Sequence, residues 1–241
     1  MEQAEKTLAS LVINNYKTAG ILEKYNLDYC CKGKRTLSES CKEKGIDTTV
    51  VINDLMSIEE TYTRPQLPFE DMTAEQLISY ILIHHHFYVK QTIPQIIQHV
   101  QKVAMKHGDK FEYIKKVYEN FKAVAEELLL HMEKEELMFF PRIKEIEKLV
   151  QNQNSMKQYP AGYITAPIHI MEQEHEHAGE LMAEIRQLTG NFTAPLGACT
   201  TFRITLQELK EFEEDLHKHV HLENYILFPK AVELIKSVVH E

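Results

Sequence analysis

The sequence predicts an all-α protein, a small helical domain followed by a long four-helix bundle. Three observations carry this. Glycine and proline are sparse, at 8 each in 241 residues, so turns are few and helices long. Apolar residues recur at three- and four-residue spacing over long stretches, the period of an amphipathic helix. Alternating β-branched runs, the mark of strands, are almost absent. Apolar residues make up 44% of the chain, enough for a substantial core.

Residues 1–60 read as a small helical unit. Leu8, Leu11 and Val12 form one stripe, and Ala19, Ile21, Leu22 and Tyr25 the next, ending at Asn26. Then comes the loop Leu27-Asp-Tyr-Cys-Cys-Lys-Gly-Lys34. Thr36 with Glu39 is a capping box for a third helix, which Gly45 ends. Asp47 or Thr48 opens a fourth, carrying Val50, Val51, Leu55 and Ile58. So few residues in short helices make a small core, so this unit is expected to lean on something else, either the rest of the chain or a second subunit in a homodimer. Residues 61–72, with Pro65 and Pro68, read as a linker.

Thr73 with Gln76 is a second capping box and opens the domain 73–241. Its four helices are expected at 73–107, 110–149, 166–189 and 200–239, punctuated by Gly108, Pro160 with Gly162, Gly190, and Pro195 with Gly197. Short links favour an antiparallel bundle. Pro94, Pro141 and Pro229 fall inside periodic stretches, where each should kink its helix or follow a local break.

The net charge of −9 and the lack of a large basic cluster argue against nucleic acid as a partner. No apolar run approaches the ~18 residues that span a membrane, and the N-terminus lacks a secretory pattern, so a cytoplasmic protein is expected. Four cysteines are too few for a disulfide framework at this size.

The second domain repeats. His131-Met-Glu-Lys-Glu135 and His219-Val-His-Leu-Glu223 each place a histidine one turn before a glutamate, and each is followed by an apolar run ending at Pro141 or Pro229. The two histidines, the two glutamates and the two prolines are each 88 residues apart, and His86 and His175 are 89 apart. His86 continues the stripe Leu82, Ile83, Val89, Ile93, whereas His84 shares a side with Tyr80, Tyr88 and Gln91. His175 lies in register with Ile168, Met171, Ala178 and Met182. In His217-Lys-His-Val-His221, only His219 has a carboxylate four residues on.

Four helices thus aim one imidazole each at the axis, and two add a glutamate. A carboxylate has two oxygens and can bridge, so Glu135 and Glu223 can each span two ions. Imidazole and carboxylate without thiolate suit iron or manganese better than structural zinc. Two such carboxylates and four histidines leave positions open for an oxo or hydroxo bridge and a small ligand. Glu127, one turn before His131, and Glu174, beside His175, are candidates for relaying protons or iron. Cys30 and Cys31 are adjacent, a pairing that forms only a strained, reducible disulfide. Lys32, Lys34 and Arg35 beside them are expected to lower the thiol pKa.

His86, the two His-x-x-x-Glu segments and Met171-Glu-Gln-Glu-His175 resemble the hemerythrin-like superfamily. Together with Leu27-Asp-Tyr-Cys-Cys-Lys-Gly-Lys-Arg-Thr-Leu37, the chain is similar over its whole length to the repair-of-iron-centres family. The resemblance implies two non-haem irons held by His86, His131, Glu135, His175, His219 and Glu223. It also implies repair of iron–sulfur clusters damaged by nitric oxide or oxidants, with damaged iron–sulfur proteins as partners and roles for Cys30 and Cys31. An NO-reducing enzyme and an O2- or NO-sensing module are the alternatives. Hemerythrin proper pairs two histidines on its third helix, where this chain has Met171 one turn before His175. Four histidines and two glutamates make a more symmetric site, which points away from simple O2 carriage.

Overall fold

Capping chemistry sets where the helices begin. In the computed structural model, which describes residues 2–61, 67–152 and 159–238, the hydroxyl of Thr7 accepts from the Ser10 N–H and opens α1 (Leu8–Asn14). Helix α2 (Thr18–Lys24) follows. Both predicted capping boxes form: Thr36 with Glu39 starts α3 (Leu37–Lys44), and Thr73 with Gln76 starts the first bundle helix. Gly45, at φ 65°, ends α3 in the left-handed conformation that glycine adopts without strain. Helix α4 is Thr48–Thr61.

The bundle consists of α5 (74–107), α6 (113–151), α7 (Thr165–Leu188) and α8 (200–238). These bounds lie within a few residues of the predicted ones. Linker positions 62–66, loop positions 153–158 and the predicted end at 239 lie outside the described residues. Among the described residues there is no strand, and no helix is long and apolar enough to cross a membrane. Each bundle helix neighbours the next in chain order, and α8 packs back on α5.

The prolines act in two ways. In α6 the Phe140 N–H reaches back five residues to Glu135, and in α8 the Phe228 N–H reaches Glu223. Each wide, π-type turn lies just before a proline, Pro141 or Pro229, which has no N–H to give and whose ring crowds the carbonyl four residues back. Helix α5 has the same turn, with Phe87 N–H on Leu82, but no proline explains it. At Pro94 no break directly precedes the proline, and α5 continues through it. Pro94 and Lys90 are exposed, so water can take the carbonyl that Pro94 leaves unpaired.

The buried apolar residues fall into two clusters. One joins Leu8, Leu22 and Leu37 of the small unit to Val89, Phe121 and Phe212 of the bundle. The bundle thus supplies the burial the small unit needs. The other fills the opposite end with Ile78, Phe139, Phe140, Ile143 and Phe228. Between them runs a layer of buried histidines and glutamates.

Polar contacts fix the small unit on the bundle. His217 Nδ1 lies 2.6 Å from Glu23, Arg186 donates to Asn26 at 2.8 Å, and His221 donates to the Tyr29 carbonyl at 3.4 Å. Glu213 is buried at this seam, 3.5 Å from Arg186 Nε. Burial pushes its carboxyl up to about 7, against the pull of His217 and Arg186. The native state therefore holds this proton more tightly than an unfolded glutamate does. The stabilisation is complete below the usual carboxylate range and is lost as pH rises through about 7. At ~1.4 kcal/mol per pKa unit, iron-free Glu213→Gln should be about 1–3 kcal/mol more stable than the parent at pH 8, with a flatter slope between pH 5 and 8. Urea unfolding at several pH values checks this; parallel pH profiles would contradict it.

Candidate metal centre

The polar layer is built from one level of each bundle helix. His86 comes from α5, His131 and Glu135 from α6, His175 from α7, and His219 and Glu223 from α8; all six are buried. Their donor atoms form two groups, His86, His219, Glu135, Glu223 and His131, His175, Glu135, Glu223. Within each group all the donor atoms lie within 4.8 Å of one another. Both glutamates belong to both groups.

The Nε2 atoms face inward. Those of His86 and His219 are 3.1 Å apart, and those of His131 and His175 are 2.9 Å apart. Glu223 lies between the groups, Oε1 at 3.0 Å from His219 and Oε2 at 3.1 Å from His175. Glu135 Oε2 is 3.3 Å from His131 and 3.4 Å from His86.

The outward nitrogens explain the inward ones. His86 Nδ1 meets Glu136 at 2.7 Å, His131 Nδ1 meets Glu174 at 2.9 Å, and His175 Nδ1 meets Asn224 Oδ1 at 2.9 Å. These partners accept, so each Nδ1 carries a proton, and each ring, when neutral, turns a bare lone pair inward. Both Glu135 oxygens and Glu223 Oε2 are buried and, among the described residues, have close imidazole nitrogens but no well-oriented hydrogen-bond donor. Lone pairs converging on orphaned carboxylate oxygens need positive charge between them. Protons supply some of it: burial would lower His86 and His131, but Glu135 and Glu223 outweigh burial and push both up to about 10. Burial likewise raises Glu223, yet His219, His175 and His86 hold it well below the usual carboxylate range. Two cations fit this donor set and would displace those protons.

The wide turns explain two residues that sequence reasoning missed. Each turn brings consecutive side chains to the layer, where an ideal helix would splay them by about 100°. Glu135 and Glu136 thus both reach the layer, as do Glu223 and Asn224. The usable signal was the proline closing each apolar run.

The other predicted residues are not among the converging donors. Glu174 accepts from His131 and pairs with Lys134, and these contacts lower its carboxyl to about 2. Glu127 pairs with His177 at 3.5 Å on the surface, where both are about half exposed. Cys30 and Cys31 are free thiols with Sγ atoms 3.7 Å apart. The cysteine loop docks beside the layer: the Cys31 thiol lies 3.6 Å from the His175 carbonyl, and Asn224, the partner of His175, donates to the Cys30 carbonyl at 3.4 Å. Asp28 locks the loop by accepting from both cysteine N–H groups. The lowered thiol pKa expected from the basic neighbours is not found at Cys30, whose thiol is pushed well up by its hydrogen bond to Cys31 and by burial. Arg35 is engaged with Glu43. Cys31 is partly exposed and lines a groove of about 620 Å³ with Lys34, Glu172 and Tyr225.

Two family models match the chain: a domain of unknown function (DUF542) over residues 4–59 and the hemerythrin HHE cation binding domain over residues 77–231. Curated relatives match almost end to end. A Cronobacter sakazakii protein named iron–sulfur cluster repair protein YtfE is 33% identical over 228 residues, 95% of this chain and 96% of the relative. Proteins of the same name from Shigella boydii serotype 4 and Escherichia coli O8 are 32% identical over 232 residues, 96% of this chain and 99% of each relative.

Proposed function

Because the chain belongs to the hemerythrin-like family of iron–sulfur cluster repair proteins, we propose that it holds two irons in its polar layer and returns iron to clusters damaged by nitric oxide or oxidants. The observation that carries this reading is the sharing of Glu135 and Glu223 by two four-donor groups. His86 and His219 would hold one iron, His131 and His175 the other, with both carboxylates and an oxo or hydroxo bridge between them. Such a centre would supply iron and an open position for NO or O2. The protein's own residues fix its geometry: Glu136, Glu174 and Asn224 orient three imidazoles, and the apolar clusters on either side exclude water. Damaged iron–sulfur proteins are the partners and the cytoplasm is the site of action.

Delivery requires an ion to leave, and Cys31 with Asn224 lies between the His175 side of the centre and the surface groove. That placement supports a role for the cysteine loop in release. It also favours NO reduction as a second reading, because two adjacent thiols give two electrons and two protons on forming a disulfide. Two NO need that number to become N2O and water. Anaerobic single-turnover assays separate the readings. Repair predicts that the iron-loaded protein restores an NO-damaged aconitase-type enzyme without releasing N2O. Release of N2O with no recovery would replace repair by NO reduction.

A further inference from the structure

The outward nitrogens of the ligand histidines follow a rule around the bundle. Helix α6 supplies Glu136 to His86 on α5, α7 supplies Glu174 to His131 on α6, and α8 supplies Asn224 to His175 on α7. Each supplier is the chain neighbour of a ligand on its own helix: Glu136 follows Glu135, Glu174 precedes His175, and Asn224 follows Glu223. Helix α8 packs back on α5, so the ring closes if a neighbour of His86 serves His219. That neighbour is His85.

His85 is buried, although the apolar stripe of α5 singles out His86 alone. The wide turn at 82–86 brings both inward. The His85 ring lies parallel to that of His219, at an interplanar angle of 3° with centroids 5.5 Å apart. Its Nδ1 is 3.0 Å from Asp215 Oδ1. An ionised carboxylate only accepts, so Nδ1 carries the proton and Nε2 of the neutral ring is an acceptor. His219 turns Nε2 to the metal groups, 3.0 Å from Glu223 Oε1, and with an ion on Nε2 the neutral ring would carry its proton on Nδ1. Both His219 Nδ1 and His85 Nε2 are buried and lack a hydrogen-bond partner among the described residues. A buried donor and a buried acceptor on stacked rings match in chemistry, and one water can join them.

We propose that His85 is the positioning residue of His219: its Nε2 accepts the His219 Nδ1 proton through one water, and Asp215 holds His85 in the tautomer that accepts. The proposal rests on the reading of His219 as an iron ligand. It gives all four imidazoles an anchored outward proton and assigns Asp215, one turn before His219 on α8, a part in the centre.

Proton NMR of the ferrous protein tests it, because each ligated imidazole with a protonated Nδ1 gives one strongly shifted, exchangeable signal. Four slowly exchanging signals are expected. In His85→Leu, one of them should exchange with solvent at least about tenfold faster, and iron release to a chelator should quicken by about tenfold or more. His85→Gln, whose amide oxygen can accept, should restore both, and Asp215→Asn should disturb the same signal. Four unchanged signals in His85→Leu with unchanged iron release would overturn the proposal. So would a loss confined to the melting temperature of the iron-free variant, which marks a packing role. Wild-type protein with no shifted signals at all would overturn the iron reading itself.

Discussion

Glu223→Ala is expected to strip both irons from the protein, and Glu135→Ala to do the same. Each carboxylate belongs to both donor groups, so its removal leaves two nitrogens and one oxygen on either side and takes one of the two negative charges from a buried site. His86→Ala damages only one group and leaves His131, His175 and both glutamates in place. Iron should fall from two per chain to well below one in the glutamate variants, but to about one in His86→Ala, because affinity depends on the full deprotonated donor set. Metal analysis of anaerobically reconstituted protein decides it. Equal losses in the glutamate and histidine variants would mean that the carboxylates are not shared. The same variants should lose the metal-dependent rise in melting temperature, since a bound ion stabilises only the state that binds it.

Gly33→Ala is expected to lift the cysteine loop from the bundle. A Cβ at this position would lie 2.2 Å from the Tyr29 carbonyl oxygen, 2.8 Å from the Tyr225 hydroxyl and 2.9 Å from the Ala9 Cβ. The nearest of these is backbone, so the loop must shift. Tyr29 and Cys30, both buried beneath it, then open to solvent more often. Overpacking of about 1–3 kcal/mol corresponds to a rise of roughly one to two orders of magnitude in the open fraction. Alkylation of Cys30, followed residue by residue by mass spectrometry, should accelerate by that factor, while partly exposed Cys31 changes less. An unchanged Cys30 rate would show that the loop's seat does not depend on Gly33. Because Asn224 links the Cys30 carbonyl to His175, iron release should quicken in the same variant.

Much of this architecture is legible in the sequence because it rests on period and chemistry local to each helix. The stripes through Leu82 and Val89, the capping boxes at Thr36 and Thr73, and the 88-residue repeat give the helices and bring the six candidate ligands into one layer. What escaped has a common cause. A π-type turn changes which residues face inward without changing composition, so His85, Glu136 and Asn224 look like surface residues on an ideal helix. The burial of His217 and His221 depends on where the small unit docks, through Glu23 and the Tyr29 carbonyl, more than 190 residues away in sequence. No helical period encodes a contact between domains. The inference about thiol pKa failed for the same reason: Lys32 and Arg35 were visible as neighbours, but the burial of Cys30 was not.

The central claim is that Glu135 and Glu223 hold two irons between paired histidines. Anomalous diffraction at the iron edge from crystals of the iron-loaded protein tests it most directly. The account predicts two peaks roughly 3.5–4 Å apart, one flanked by His86 and His219 and the other by His131 and His175, with both carboxylates between them. A single peak, or iron bound instead at the Asp28, Cys30 and Cys31 cluster, would contradict it.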